Sequence, residues 1–165
     1  MIADVAKGAA AIAVVGALVP WLAERLSQAP ATAAEVQVWL PWAVCLGGLA
    51  VLLGHGRSIW LNFTGGKAAA TGLGVLLALS WPVGLGAAAV SAVVLAISRI
   101  VSLGSLLAAL TAAVLICVIA HPLPYRLLVI AGAAYVTVRH RANIRRLTAG
   151  TEPRLGRGTS DPGPP

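Results

Sequence analysis

The stretch "AAATGLGVLLALSWPVGLGAAAVSAVVLAIS", Ala68 to Ser98, decides how this chain is folded. Read as one continuous helix, it is a single long span. Read as two, with a break at Trp81-Pro82, it adds a crossing and reverses the direction of everything after it. The rest of the sequence supplies the test between these readings.

Hydrophobic residues make up 59% of the chain and charged residues only 10%, with a mean hydropathy of +0.90. That composition excludes an ordinary soluble domain. Apolar runs of about 17–21 residues recur, the length that crosses a hydrocarbon core of roughly 30 Å. Lipid leaves no water to satisfy a spanning backbone, so the spans are helical. With the break at Trp81-Pro82 there are six: about residues 2–23, 36–54, 68–80, 83–98, 101–120, and a last one opened by Pro122 and Pro124 and ending near Val138. The expected fold class is an all-α polytopic membrane bundle, with residues 1–148 forming the bundle and 149–165 a disordered tail. The first run, carrying Asp4 beside Lys7, does not read as a cleavable signal peptide.

Charge decides between the readings. With six spans, Lys7, Arg57, Lys67, Arg99, Arg139, Arg141, Arg145, Arg146, Arg154 and Arg157 share one face, ten of the twelve Lys and Arg residues, and only Arg25 and Arg126 lie opposite. With residues 68–98 as one span the split falls to eight against four. The positive-inside rule therefore favours six spans with both ends cytoplasmic. Trp21, Trp39, Trp42, Trp81 and Tyr125 cluster at the other face, as an interfacial aromatic belt does.

The net charge of +7 reads as this topology signal and not as a nucleic-acid footprint. The acids are Asp4, Glu24, Glu35, Glu152 and Asp161, so none lies between Val36 and Thr151. This argues against a carboxylate acid/base pair or a carboxylate-held metal in the middle of the chain, and neither metal nor cofactor is expected. Cys45 and Cys117, each inside an apolar run, read as small buried hydrophobes. Asp4 and Lys7 are spaced to pair along the first helix. His121, before Pro122, marks a turn on the far face.

Three polar patches fall on the cationic face. The first is "GHGRSIWLNFTGGKAAATGLG", Gly54 to Gly74. It fails as a nucleotide-binding P-loop, because Leu61 stands where the first glycine belongs and Ala68 where Ser or Thr belongs. Its anion-binding ingredients remain: Gly65 and Gly66 admit close backbone approach, Lys67 brings charge, and a helix N-terminus follows. The local pattern fits equally an interfacial loop with a snorkelling lysine. In the second patch, Ser98, Ser102 and Ser105 share a helix face, a pattern that more often serves packing. The third is "RHRANIRRL", where His140 and Asn143 stand at i, i+3 among arginines that anchor topology.

Together these residues resemble the PlsY family of membrane glycerol-3-phosphate acyltransferases. The resemblance rests on D-x-x-KG at Asp4, Lys7 and Gly8, on GH at Gly54-His55, and on F-x-GGK-x-x-AT from Phe63 to Thr71. SLGS at Ser102–Ser105 and HRxNIxRL from His140 to Leu147 complete it. It runs from Asp4 to about Gly156. It implies that acyl phosphate and glycerol 3-phosphate react to lysophosphatidic acid and phosphate, at the bacterial plasma membrane with the site facing the cytoplasm. It further implies that Gly65, Gly66 and Lys67 bind a substrate phosphate, and that Lys67, Ser105, His140 and Asn143 form the catalytic set. His55, Thr71 and Ser102 would support them. The base is either His140 or a substrate phosphate, with phosphate preferred. Ala68 and Ala69 depart from the family's usual Gly-Val. A further family helix and its GSGNxGATNxxR loop have no counterpart here, which points to a start placed too late, or else to a truncated and inactive copy. A small phosphate or organic-anion transporter would gather similar cations, but its polar groups belong near the bilayer midplane, often within an internal repeat. The sequence shows no such repeat.

Overall fold

The computed structural model describes residues 1–26, 33–56, 68–119 and 121–156. Within them lie seven helices: α1 (Ile2–Leu26), α2 (Ala33–Gly56), α3 (Ala69–Leu79), α4 (Trp81–Ser98), α5 (Val101–Val118), α6 (Leu123–Arg139) and α7 (Arg141–Thr148). Segments from α1, α2, α4 and α5 are each long and apolar enough to cross a membrane. Outward-facing Val38, Ile97 and Val118 are 72%, 82% and 76% exposed, an apolar exterior that suits lipid and not water.

The Ala68–Ser98 question resolves as two helices. Ser80 adopts an extended conformation (φ −157°, ψ 97°), ending α3 and starting α4, with Pro82 in the first turn of α4. Proline fits there because its missing N–H has no intrahelical acceptor to lose. The chain then doubles back: a Cβ placed on Gly84 would lie 2.8 Å from the Leu77 backbone, so glycine is what lets α4 fold onto α3. At 11 residues, α3 is about 16 Å long, roughly half a hydrocarbon core.

The next reversal needs even less chain. Arg99 takes a left-handed conformation (φ 59°) as the C-cap of α4, and only Ile100 separates it from α5. This position is usually glycine or asparagine. α6 follows Pro122, and a kink at His140 sets off α7, a short cationic helix distinct from the last span with which its sequence is continuous.

Alternation of the helices brings distant segments together at one end. His55 Nδ1 lies 3.8 Å from Asp4 Oδ1, and the Leu155 N–H donates to the Arg99 carbonyl at 2.8 Å. At the other end, His121 Nε2 and Ser80 Oγ are 3.0 Å apart, tying the α3–α4 break to the start of α6. Arg25 sits over the Trp21 ring there, at 5.5 Å. Two details differ from expectation. Asp4 faces the N-terminal amine and His55 and makes no ion pair with Lys7, which points outward; Cys45 is buried, but Cys117 lies on the outer surface of α5.

Two buried clusters form the core. One joins α1, α2, α3 and α6 through Ile12, Val44, Leu52, Val75 and Leu128; the other joins α4, α5 and α6 through Val83, Ala87, Ala112, Ile116 and Val129. α1 and α3 cross almost backbone to backbone, since a Cβ on Gly8 would overlap the Thr71 carbonyl oxygen and one on Gly74 the Val5 carbonyl oxygen. Small residues at such crossings are how membrane helices gain dispersion contacts.

Candidate active site

The helices surround a cavity of about 720 Å³ that reaches the cationic end. It exists because the residues turned inward are small: Ala69, Ala70 and Gly72 on α3, Ala87, Ala88 and Ser91 on α4, Ser105, Ala108, Ala109 and Ala112 on α5, Gly132 and Ala133 on α6. Leucines such as Leu52, Leu76 and Leu128 also line it, but the small residues leave the middle between the helices unfilled. The polar lining gathers at the mouth, where Asp4, His55, Ser102, His140, Asn143, Arg146, Glu152 and Arg154 meet.

His140 occupies the kink between α6 and α7 and is 2% exposed. Its Nδ1 lies 2.8 Å from the Val136 carbonyl oxygen, which can only accept, so Nδ1 carries the proton and Nε2 keeps the lone pair when the ring is neutral. Asn143, 5% exposed, follows one turn later on the same wall. Ser105 also lines the cavity, with its hydroxyl donating to the Val101 carbonyl at 3.1 Å.

The centre of the mouth is a residue from the segment expected to be a disordered tail. Glu152 accepts hydrogen bonds from Ser102 Oγ (2.6 Å), Asn143 Nδ2 (2.5 Å) and Arg146 Nε (2.7 Å). Burial pushes its carboxyl up, but those three donors and the Arg146 charge outweigh burial and bring its pKa from 4.5 down to about 2. Within the stretch expected to be tail, the residues up to Gly156 thus include one that is tied into the bundle. The segment is anchored by Glu152 and by the Leu155 N–H to the Arg99 carbonyl, and Pro153, Arg154 and Leu155, though exposed, line the cavity mouth. The middle of the chain carries no acid, but carboxylates reach the mouth from both ends of the sequence, Asp4 from α1 and Glu152 from beyond the last span. Glu152 is neutralised by Arg146 and fully engaged as an acceptor, which makes it a tie between α5 and α7 and a poor base. A lone acid following four arginines in "RHRANIRRLTAGTE" was the available signal.

The other expected site residues divide. His55 lines the mouth beside Asp4, and Ser102 is 5% exposed and bonded to Glu152. Thr71 is fully buried near the α1–α3 crossing and does not line the cavity; its hydroxyl has no hydrogen-bond partner among the described residues. Gly65, Gly66 and Lys67 lie outside the described residues. Ala68, covalently next to Lys67, is 1% exposed and forms part of the cavity wall. Among the described residues, no three His, Cys, Asp or Glu side chains converge as metal ligands do.

A polar mouth on the face that carries most of the Lys and Arg, leading into an apolar cavity within a membrane bundle, suits a molecule with an anionic head and a long apolar chain. Comparison with known proteins points the same way. The family model described as glycerol-3-phosphate acyltransferase matches residues 1–150. The chain is 65% identical to glycerol-3-phosphate acyltransferase 2 of Rhizobium johnstonii over 157 residues, 95% of this chain and 72% of that protein. It is 51% identical to the glycerol-3-phosphate acyltransferase of Trichormus variabilis over 93% of this chain and 67% of that protein. The crystal structure of PlsY (YgiH), an integral membrane glycerol 3-phosphate acyltransferase, superposes in its lysophosphatidic acid form with a TM-score of 0.69. That match has 36% identity and spans 73% of this chain and 63% of the other. The glycerol 3-phosphate form gives 0.68 at 26% identity, over 94% and 95% of the two chains. By the family model over residues 1–150 and by these likenesses, the chain belongs to the glycerol-3-phosphate acyltransferase family typified by PlsY.

Proposed function

We propose that this chain transfers an acyl group from acyl phosphate to the sn-1 hydroxyl of glycerol 3-phosphate, giving lysophosphatidic acid and inorganic phosphate for phospholipid synthesis. The observation that carries this reading is the cavity itself: Arg146, Arg154, His55, His140 and neutral donors at its mouth beside the engaged acids Asp4 and Glu152, alanines and aliphatic side chains inside. The mouth takes the phosphates and the interior takes the acyl chain. By the positive-inside rule the mouth faces the cytoplasm, where the charged glycerol 3-phosphate is dissolved, and the bundle lies in the bacterial plasma membrane.

In this reading Gly65, Gly66 and Lys67 hold a substrate phosphate, by backbone N–H groups and by charge. Ser105, His140 and Asn143 orient glycerol 3-phosphate, and Ser102 acts through Glu152. The hydroxyl oxygen attacks the acyl carbonyl carbon, the bond from that carbon to the phosphate oxygen breaks, and phosphate leaves with the electron pair. The mixed anhydride is already activated, so positioning and charge stabilisation supply most of the acceleration. The hydroxyl proton passes to a substrate phosphate, while His140, its Nδ1 engaged by Val136, fixes the geometry.

The test is acyl-phosphate-dependent formation of lysophosphatidic acid and phosphate by the purified protein in detergent. Wild type is expected to be active, and Lys67→Ala to lose at least about a hundredfold in kcat/KM, as removal of a charged phosphate contact does. Glycerol 3-phosphate transport across vesicles without acylation would overturn the reading in favour of a transporter.

A further inference from the structure

We propose that Ala112, together with Ala87, forms the floor that limits the length of the acyl chain this protein transfers. The proposal rests on the acyl-transfer reading above.

From Ser102 at the mouth to Ala112, ten residues along α5, the cavity is about 15 Å deep. The same depth is reached on α6, from His140 down to Val129, at about 16 Å. Two helices thus place the end of the cavity at one level. There the lining residues Ala87, Ala112 and Val129 are 1%, 2% and 5% exposed, and they form one packed layer with Val83 and Ile116, both 0% exposed. Below Ala112 there is core and no space. Above it, Ala108 and Ala109 leave the wall wide, and no charged side chain of the mouth reaches this level.

The floor is made of two of the smallest side chains, so its height is set by single methyl groups on α4 and α5. Leucine at 112 extends two further C–C bonds into the cavity. An extended alkyl chain advances about 1.25 Å per carbon given C–C bonds of about 1.5 Å, so this removes room for about two carbons. Interiors packed at crystal density do not yield that room cheaply.

The experiment compares kcat/KM for wild type, Ala112→Leu and Ala112→Gly over a ladder of acyl phosphates from decanoyl to stearoyl, with glycerol 3-phosphate saturating. The expected result is an Ala112→Leu optimum shortened by about two carbons, with decanoyl phosphate used as well as by wild type. Ala112→Gly keeps or extends the long end. Val114→Leu, on the lipid face of the same helix, leaves the profile unchanged. An unaltered profile in Ala112→Leu overturns the proposal, as does equal loss on every chain length. If Ala112→Leu does not fold, Ala112→Val is read by the same criteria, with a smaller shift expected. Failure of the underlying reading looks different: wild type itself would acylate nothing.

Discussion

Replacing Glu152 by glutamine separates a structural tie from a spectator tail. The carboxylate is 6% exposed and accepts from Ser102, Asn143 and Arg146 at 2.5–2.7 Å. Holding the carboxyl at about 2 in place of 4.5 is worth roughly 3 kcal/mol by linkage. Solvent around the partly exposed Arg146 screens this to about 2 kcal/mol. Glutamine loses the charge that pairs with Arg146 and turns its NH₂ either towards Arg146 or towards Ser102 and Asn143, so most of that stabilisation goes. Thermal unfolding in detergent, followed by circular dichroism at neutral pH, should show the Glu152→Gln midpoint lower by roughly 4–8 °C. A depressed pKa stabilises above the unfolded value and is lost as pH falls. The gap between wild type and Glu152→Gln should therefore be full above about pH 4.5 and close as pH approaches about 2. Glu24→Gln, at the opposite end, serves as the control. Equal midpoints for wild type and Glu152→Gln, with equal activity, would refute the argument that this segment belongs to the folded site.

Two further outcomes follow from the geometry. His140→Ala should raise KM for glycerol 3-phosphate by roughly ten- to a hundredfold, the cost of a hydrogen bond to a charged group, with turnover little changed. A drop in turnover of about a hundredfold or more would instead make His140 the general base. Gly8→Leu should destabilise the bundle by at least about 1–3 kcal/mol, because its Cβ overlaps the Thr71 carbonyl and the α1–α3 crossing must open. Wild-type unfolding of that variant would contradict the crossing.

Much of the architecture was legible in sequence because membrane crossing is a one-dimensional problem. Length of apolar run, the Trp81-Pro82 break and the ten-to-two cation split sufficed to put Asp4, His55, Arg99 and His140 at one end and His121 with Trp81 at the other. Spacing also placed His140 and Asn143 on one side of the chain. These are local properties, set by which residues repeat and which side of a bilayer they can occupy.

Contacts between elements were not legible. Nothing in sequence said that Asp4 would turn to His55 and away from Lys7, since only Lys7 is within reach along the same helix and packing of α1 on α2 brings His55 to it. Thr71 sits close to Lys67 in sequence, yet the close α1–α3 approach at Gly8 and Gly74 takes it out of the cavity wall. Glu152 looked like solvated tail because its three partners lie 50, 9 and 6 residues away and converge only after α5 and α7 are assembled. By itself the sequence determined the membrane class, the helix order and the face that carries the charge. Only the tertiary structure decided where the cavity ends and which carboxylate closes its mouth. Depth and hydrogen-bond partnership are distances between helices, and no single stretch of chain contains them.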